Sequence, residues 1–348
     1  MKNNTVPIRG HRGDPEGLAE RLNRTVVGQQ DAIEAIVPFV RLYEANLAPE
    51  GRPVAVFLLL GPTGTGKTKT VEALADAIHG SEKQVLRIDC GEFQMEHEVA
   101  KLIGAPPGYL GHRETQPMIT QQKLNAMTSE RTGLSIVLFD EIEKAAISLG
   151  RLLLGILDKA QLKLGDNSTV NFERSLIFMT SNLGAREMMS EVSSGFGFGA
   201  LTPKDRSETA RKLQAIGIQA VKKRFSPEFV NRIDRTLTYR PLERDDCDRI
   251  LDLQVDLLVQ HIQRRLTSGA FEIELKRSAR DFLLERGTSA EYGARELKRA
   301  IHHHLIQPIA EMVIRKEIPA GATLRFDCVG DALVPKVTTP PAGLRRAG

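Results

Sequence analysis

The feature that most constrains this chain is a glycine-rich segment, residues 61–68, directly after seven apolar residues, 54–60. Its letters, GPTGTGKT, fit the pattern G-x-x-x-x-G-K-[ST]. In that pattern the glycines let backbone N–H groups wrap a phosphate, and the helix that follows adds partial positive charge at its N-terminus. The periodicity of 67–79 predicts such a helix. The segment therefore predicts a nucleoside triphosphate site rather than a purely structural glycine turn.

Within this loop, side chains have separate predicted tasks. Lys67 can reach the β- and γ-phosphates, and the Thr68 hydroxyl can hold Mg²⁺. The backbone of the remaining positions is expected to surround the phosphates. The predicted phosphate-binding residues are Pro62, Thr63, Gly64, Thr65, Gly66, Lys67 and Thr68.

A second apolar run, 136–139, ends in two carboxylates, Asp140 and Glu141. At a strand end beside the phosphate loop, Asp140 can bind Mg²⁺ and Glu141 can polarise a water for attack on the γ-phosphate. A third run, 176–180, leads to Asn182, which is predicted to orient that water or to sense the γ-phosphate. An ordinary asparagine turn is the alternative for Asn182. These residues predict ATP hydrolysis with ATP and Mg²⁺ bound.

Strand and helix patterns alternate along the first two thirds of the chain, which predicts an α/β fold with a parallel sheet and flanking helices. The predicted strands are 54–60, 85–89, 135–140, 176–180 and 236–239, and the predicted helices are 67–79, 98–103, 147–160 and 210–224. After Arg240 the pattern changes to a smaller, mainly helical domain. Its predicted helices are 245–265, 279–286 and 294–316, and its predicted strands are 271–275 and 323–329.

The predicted domains follow from these changes in pattern. They are a flexible N-terminal arm over 1–24, a large ATPase domain over 25–242, a small C-terminal lid domain over 243–335 and a disordered tail over 336–348.

Charge and cysteine content narrow the possible partners. The 348 residues include 48 Lys and Arg against 44 Asp and Glu, a net charge of +4, and this near-balance does not favour nucleic acid as a partner. No apolar run approaches the ~20 residues that span a bilayer, so no membrane association is expected. The widely spaced Cys90, Cys247 and Cys328 form no disulfide or zinc pattern, which favours a cytoplasmic location.

Five further landmarks occur in one order along the chain. They are VVGQQ at 26–30, LIGAPPGYLG at 102–111, TSNLG at 180–184, SPEFVNRID at 226–234 and YGAR at 292–295. With the phosphate loop and the acidic strand end, they resemble the AAA+ ATPases, and more closely the Clp chaperone-unfoldases. The pattern is most similar to the second ATPase module of ClpB, from about Thr25 to Val329. The resemblance implies an AAA+ P-loop fold with a small lid domain.

This resemblance also implies roles that spacing alone does not show. Val26 and Val27 would flank the adenine, and Arg295 would be a second sensor that the small domain places on the phosphates. Arg232 resembles an arginine finger that reaches a neighbouring subunit's site, where such a group contributes ~10³–10⁵ in rate. A surface ion pair is the alternative for either arginine. The family's hexameric rings imply a homo-hexamer here.

The loop around Tyr109 and Leu110 resembles the one that lines the central pore of such rings. An aromatic side chain between glycines can press against a threaded polypeptide largely independently of its sequence. An ordinary turn tyrosine is the alternative. Residues 112–117 depart from the acidic, glycine-rich stretch that usually follows this loop, which bears on the pore lining and the substrate preference.

Phe196, Gly197 and Phe198 resemble the hydrophobic-Gly-hydrophobic tripeptide by which some Clp unfoldases dock a ClpP-type peptidase. A flexible glycine-rich surface loop is the alternative. ClpB lacks this tripeptide and carries additional domains for which this sequence leaves no room. A stand-alone single module is therefore expected, with substrates selected by its pore, its N-terminal arm or an adaptor protein.

Three functions are compatible with these features. The leading hypothesis is an ATP-driven single-ring unfoldase or remodelling chaperone that pulls polypeptide through a central pore. The alternative is a dedicated assembly or regulatory ATPase that repositions one specific partner without threading it. A nucleic-acid motor or clamp loader is the third, and the near-neutral charge and the Tyr109 loop disfavour it.

Overall fold

The computed structural model describes residues 17–104, 117–195, 203–266, 269–288 and 293–338. The first part forms one central parallel sheet with helices on both faces. Its strands in chain order are β1 (Ala55–Leu60), β2 (Leu86–Asp89), β3 (Ser135–Asp140), β4 (Gln161–Lys163), β5 (Thr169–Asn171), β6 (Ser175–Ser181) and β7 (Arg235–Thr238). Five of them make the central sheet in the order β2-β3-β6-β1-β7, and β4 and β5 form a separate antiparallel hairpin.

All pairings in the central sheet are parallel, which confirms the predicted fold class. Every residue of β1, β3 and β6 is buried, as expected for strands covered on both faces. Alternate side chains of these strands enter two separate apolar cores. Because the three strands are parallel and fully buried, their carboxyl ends lie together at one edge of the sheet.

Nine helices of the described residues belong to this first part. They are α1 (Leu18–Thr25), α2 (Gln30–Glu44), α3 (Lys67–His79), α4 (Val99–Ile103), α5 (Gln121–Ala126), α6 (Ile147–Lys159), α7 (Ala185–Gly195), α8 (Pro203–Arg224) and α9 (Pro227–Val230). Residues of α1, α2 and α3 contribute to one core. The other core receives residues from α4, α5, α6, α8 and α9. The helices thus close both faces of the sheet.

The prediction of a flexible arm over 1–24 is wrong for its last part. Residues 18–25 form α1, whose Leu22 is only 1% exposed in the core beside α2 and α3. The Arg21 guanidinium also donates a hydrogen bond to the carbonyl of Ala77 at the end of α3. With only eight residues, a helix of this length is not stable by itself, so its attachment depends on the tertiary contact.

The second part of the chain is a small domain with its own core. Its elements are α10 (Arg244–Leu266), β8 (Glu272–Leu275), α11 (Arg277–Gly287), α12 (Ala294–Ile301), α13 (Gln307–Ile314), β9 (Thr323–Val329) and β10 (Ala332–Thr338). A π-helical turn, His302–Ile306, joins α12 to α13 without a break, within the single helix predicted over 294–316. The strands form a sheet in the order β10-β9-β8.

Strand β10 corrects the predicted disordered tail. It pairs antiparallel with β9 along its whole length, so residues 336–338 belong to the small domain rather than to a tail. Its side chains alternate between exposed and half-buried. Within the parts of the chain that are described, no helix has the length and apolar character needed to cross a membrane.

Candidate nucleotide-binding site

The carboxyl ends of β1, β3 and β6 meet at one cleft of about 320 Å³ between the central sheet and the small domain. The cleft is lined by Thr25, Val26, Val27, Thr63, Gly64, Thr65, Gly66, Lys67, Thr68, Lys69, Glu72, Arg87, Asp140, Glu141, Thr180, Asn182, Leu242, Ile250, Leu253, Gln254, Ala294, Arg295 and Lys298. The structure thus brings together the predicted residues of three separate sequence motifs. Such a crevice outside the carboxyl ends of parallel strands is where α/β folds bind ligands.

The phosphate loop depends on glycine at two positions, one for a close approach and both for a positive φ. Gly61 has a φ of 142°, and an added Cβ would lie 2.5 Å from the carbonyl oxygen of Tyr239. Gly66 has a φ of 105° at the position that begins α3. These left-handed conformations are open to glycine and costly for other residues. The loop therefore turns tightly from β1 into α3 and leaves its surface free for a ligand.

Lys67 is the central cation of the site, and it is 7% exposed. Its Nζ donates to the carbonyls of Gly61 at 2.6 Å and Pro62 at 2.8 Å, and to Oδ1 of Asn182 at 2.9 Å. Desolvation lowers the pKa of Lys67 to about 8, although the nearby carboxylate of Glu143 acts in the opposite direction. An entering phosphate would offer this ammonium a stronger, charged acceptor than the three neutral oxygens.

Pro62 differs from the other predicted loop residues because it is buried and does not line the cleft. Its carbonyl accepts hydrogen bonds from Lys67 and from the Thr65 hydroxyl, the latter at 2.9 Å. Its contribution is to shape the loop from beneath. Thr63, Gly64, Thr65, Gly66 and Thr68 do line the cleft.

The acidic strand end is held by partners from β2 and β6. Asp140 accepts hydrogen bonds from the Thr180 hydroxyl and from the Arg87 guanidinium. The same Thr180 hydroxyl accepts the backbone N–H of Glu141 at 3.0 Å. Glu141 has a φ of 56°, and its carboxylate lies 2.5 Å from Lys144 Nζ. One threonine thus fixes both the aspartate and the turn that presents the glutamate.

Asn182 connects the end of β6 to the segments that follow β1 and β3. Its Oδ1 accepts from Lys67, and its backbone N–H donates to Oε1 of Glu143 at 3.0 Å. The other carboxylate oxygen of Glu143 is buried without a hydrogen-bond partner. The structure therefore places Asn182 beside the phosphate-loop lysine, where it can contact the γ-phosphate region.

Around the acidic strand end, sequence analysis missed four polar residues: Arg87, Glu143, Lys144 and Thr180. Glu143 and Lys144 follow the acidic pair directly, so their position gave a signal. Thr180 ends a predicted strand, whereas Arg87 is a polar residue within one. Nothing in the local sequence indicates that Arg87 and Thr180 converge on Asp140, because they are 53 and 40 residues away from it.

The other end of the cleft is apolar. Val26 and Val27 line it and are 3% and 7% exposed. Helix α10 adds Ile250, Leu253 and Gln254 to the lining, which sequence analysis did not single out. Apolar side chains with one amide group suit a purine base better than a phosphate.

The small domain reaches the phosphate loop through the start of α12. The backbone N–H of Ala294 donates to the carbonyl of Gly64 at 3.1 Å, and Gly293 lies so close that a Cβ would come within 2.8 Å of the same oxygen. Arg295 and Lys298 line the cleft from this helix. Desolvation is the main cause of the lowered pKa of Lys67, and the positive charge of Arg295 lowers it further. The predicted second sensor, Arg295, thus lies at the phosphate end of the cleft.

Arg232 is placed apart from this cleft. It is not among the residues that line it, and its Nη1 forms an ion pair with Oδ1 of Asp158 at 2.9 Å. Its guanidinium is partly exposed on the surface of the chain. The predicted pore residues Tyr109 and Leu110 and the predicted docking residues Phe196, Gly197 and Phe198 lie outside the described residues.

The residues present fit a nucleoside triphosphate with magnesium. A buried ammonium beside a glycine-rich loop suits a polyphosphate, and the Thr68 hydroxyl and the Asp140 carboxylate are oxygen ligands of the kind that Mg²⁺ prefers. A parallel sheet in this strand order, with a phosphate loop after β1 and a helical lid bonded to that loop, is the architecture of AAA+ ATPases. The fold and site therefore define a P-loop ATPase module.

Comparison with known proteins gives the family. The AAA domain family (Cdc48 subfamily) matches residues 52–236, and the C-terminal, D2-small domain of ClpB protein matches residues 242–326. The chain belongs to the AAA domain family and is a ClpB-like AAA+ ATPase module. This confirms the resemblance inferred from the sequence motifs.

Individual relatives agree with this assignment. The chain is 36% identical over 326 residues to the chaperone protein ClpB of Rhizobium meliloti, covering 94% of this chain and 35% of that protein. It is 36% identical to heat shock protein 100 of Trypanosoma brucei brucei over 88% of this chain and 33% of that protein. It therefore spans about a third of the length of these curated relatives.

Solved structures of Hsp104 share the fold. An extended complex of S. cerevisiae Hsp104 with casein superposes with a TM-score of 0.78 at 28% identity, covering 95% of this chain and 54% of that chain. A closed state of Hsp104 with ATPγS and FITC casein gives a TM-score of 0.76 at 29% identity, with the same coverage. Both similarities extend over the central sheet and the small domain together.

Proposed function

We propose that this module hydrolyses ATP at the subunit interfaces of a homo-hexameric ring and uses that energy to pull polypeptide through a central pore. The observation that carries the proposal is the shared cleft, in which the phosphate loop is hydrogen-bonded to the small domain through Gly64 and Ala294. A change at the phosphates therefore acts on the position of one domain against the other. That is the physical requirement for converting hydrolysis into movement.

In this proposal each residue of the cleft has a separate task. Lys67 and Arg295 neutralise phosphate charge, while Thr68 and Asp140 would hold Mg²⁺, which supplies further positive charge at the phosphate oxygens. Glu141 accepts the proton of the attacking water, and Asn182 orients that water. Because Lys144 pairs with Glu141 in the free protein, this ion pair has to open before the carboxylate can accept a proton.

Arg232 would act on a neighbouring subunit. It does not line its own cleft and carries a partly exposed guanidinium, as a group that acts in trans requires. An interface of this kind is heterologous and closes as a ring. The names of the related Hsp104 structures include casein, and we propose that this module likewise acts on unfolded polypeptide, in the cytoplasm and without nucleic acid or a membrane.

The test compares ATP hydrolysis with and without casein for the parent chain, Tyr109→Ala and Glu141→Gln. We expect casein to stimulate ATP hydrolysis by the parent and to leave Tyr109→Ala at its basal rate. We expect Glu141→Gln to bind ATP and to hydrolyse it at least ~10²-fold more slowly than the parent. If the parent and Tyr109→Ala hydrolyse ATP at the same rate and casein changes neither rate, threading would be contradicted. That result would favour a dedicated factor that acts on one specific partner.

A peptidase or adaptor partner is a further part of the proposal. We propose that Phe196, Gly197 and Phe198 dock a ClpP-type peptidase. Deleting these three residues should leave ATP hydrolysis unchanged and abolish casein degradation by a mixture with such a peptidase. Degradation at the parental rate after the deletion, or none by the parent, would remove the peptidase from the proposal and leave the unfoldase intact.

A further inference from the structure

One buried side-chain amide joins the phosphate loop to the segment that leads into the small domain. Gln29, at the start of α2, is 5% exposed. Its Nε2 donates to the carbonyl of Thr65 in the phosphate loop and to the carbonyl of Arg240, both at 3.0 Å. Its Oε1 accepts the backbone N–H of Arg240 at 3.3 Å. The amide therefore uses both of its donors and its acceptor on two backbone segments.

These partners leave a single orientation for the amide. Two carbonyls and one N–H surround it, so exchanging its oxygen and nitrogen would set oxygen against the carbonyl of Thr65. Glutamate has the same length but no donor for the two carbonyls. Asparagine is one methylene shorter and cannot span both segments from the same backbone position. The geometry therefore selects glutamine.

The segment on which Gln29 acts, residues 240–243, is also held from the small domain. The Arg240 guanidinium pairs with Oδ2 of Asp246 at 2.8 Å, and the same oxygen accepts the backbone N–H of Glu243 at 3.1 Å. Asp246 belongs to the first turn of α10 and is 5% exposed. Its carboxyl group lies directly against Gly28, where an added Cβ would come within 2.9 Å. Residues 240–243 are thus hydrogen-bonded both to the large domain, through Gln29, and to α10, through Asp246.

The phosphate loop is consequently connected to the small domain through two successive carbonyls, one directly and one through Gln29. The carbonyl of Gly64 accepts from Ala294 at the start of α12, and the carbonyl of Thr65 is bonded to Gln29 and so to the start of α10. A phosphate that draws the loop N–H groups toward it would rotate these peptide planes, because the N–H and the carbonyl on either side of a peptide bond move as one unit. Both connections then shift together.

We propose that Gln29 is a positioning residue that couples the state of the phosphate loop to the orientation of the small domain. Its amide transmits movement of the Thr65 carbonyl to residues 240–243, and these carry α10. The coupling rests on the proposed function, because it requires nucleotide to bind at residues 61–68. It adds to that function a link from the loop to the small domain that does not pass through Arg295.

The test measures nucleotide-dependent movement of the small domain in the full chain. Fluorophores on Glu50→Cys and Glu285→Cys, both exposed positions, report the distance between the two domains in a Cys328→Ser background. The variants are Gln29→Ala and Gln29→Glu, where the glutamate keeps the size and the acceptor and removes both donors. Gln30→Ala is the matched control, because Gln30 is the exposed neighbour on α2. Energy transfer is recorded without nucleotide, with ADP and with ATPγS.

We expect both Gln29 variants to bind a fluorescent ADP within about threefold of the parent, since the phosphate contacts come from the loop itself. We also expect them to lose about half or more of the nucleotide-dependent change in distance, with Gln30→Ala unchanged. A purely structural role predicts lower thermal stability and weaker binding with the full distance change, and that result would overturn the coupling.

Failure of the underlying function would be recognised separately. If the parent chain binds no nucleotide, the proposed function fails before any Gln29 variant is made. If the parent binds nucleotide but its two domains keep one distance in every state, the coupling alone is overturned. Where Gln29→Glu does not fold, because its buried carboxylate faces two carbonyl oxygens, Gln29→Ala decides.

Discussion

At the residue scale, Lys67 shows how burial and hydrogen bonding set the chemistry of the site. All three N–H groups of its ammonium are used on oxygens of the protein, yet its position away from water lowers its pKa to about 8. A group with such a pKa loses its charge just above neutral pH. The phosphates of a nucleotide favour the charged form and therefore raise this pKa on binding.

This gives a pH prediction for nucleotide affinity. Above pH 8 the free protein carries Lys67 mostly neutral, so binding must take up a proton, and affinity falls as pH rises. From pH 7.5 to 9 a pKa of about 8 gives a loss of about eightfold. Titration with fluorescent ADP, whose phosphates are already ionised over this range, measures it. A constant affinity from pH 7.5 to 9 would show that the ammonium is fully charged in the free protein.

At the element scale, the small domain depends on the close crossing of α11 and α12. Gly287 is buried at the end of α11, and an added Cβ would lie 2.7 Å from the Cα of Leu297. The contact is with backbone, so no side-chain rotation can relieve it. By contrast, Gly150 lies inside α6 with open space beside it. The two glycines thus occupy helices for different physical reasons.

Alanine at these two positions should have opposite effects. Gly287→Ala should lower the free energy of unfolding by about 1–3 kcal/mol through overpacking. Gly150→Ala should raise it by about 0.5–1 kcal/mol, because alanine is the better helix former where space permits. Thermal unfolding followed by circular dichroism compares the two variants with the parent. Equal shifts in Tm would be inconsistent with the close packing of α11 on α12.

At the scale of the whole molecule, the position of Arg232 predicts complementation between subunits. Lys67→Ala disables a subunit's own cleft, whereas Arg232→Ala should disable the cleft of its neighbour. In an equal mixture about a quarter of the interfaces of a ring combine an intact cleft with an intact finger. The mixture should therefore hydrolyse ATP faster than either variant alone. A rate equal to the mean of the two separate variants would speak against action in trans.

The matched control mixes Lys67→Ala with Glu141→Gln. Both changes disable the same cleft, so no interface in such a mixed ring has a complete site. No gain in rate is expected. Comparing the two mixtures separates complementation between subunits from a general stabilisation of the ring by mixing.

The parts of the fold that were predictable have their cause in neighbouring residues. The phosphate loop, the buried strands and the acidic strand end are encoded by short runs whose spacing serves local backbone geometry. Helix α2 carried a similar signal in Ala32, Ile33, Ile36, Val37 and Val40, but Pro38 within it obscured the pattern. The sheet order β2-β3-β6-β1-β7 is not readable from any single run.

By itself, the sequence determined the class of fold, the phosphate loop with Lys67 and the carboxylates at the end of β3, because backbone conformation and strand burial follow from local residue patterns. Only the tertiary structure decided which distant groups complete the site. Thr180 and Arg87 converge on Asp140, and Gln29 reaches Arg240, 211 residues away. Hydrogen bonds between such residues depend on how the strands and the small domain pack. The local sequence around a polar residue does not specify its distant hydrogen-bond partner until that packing is known.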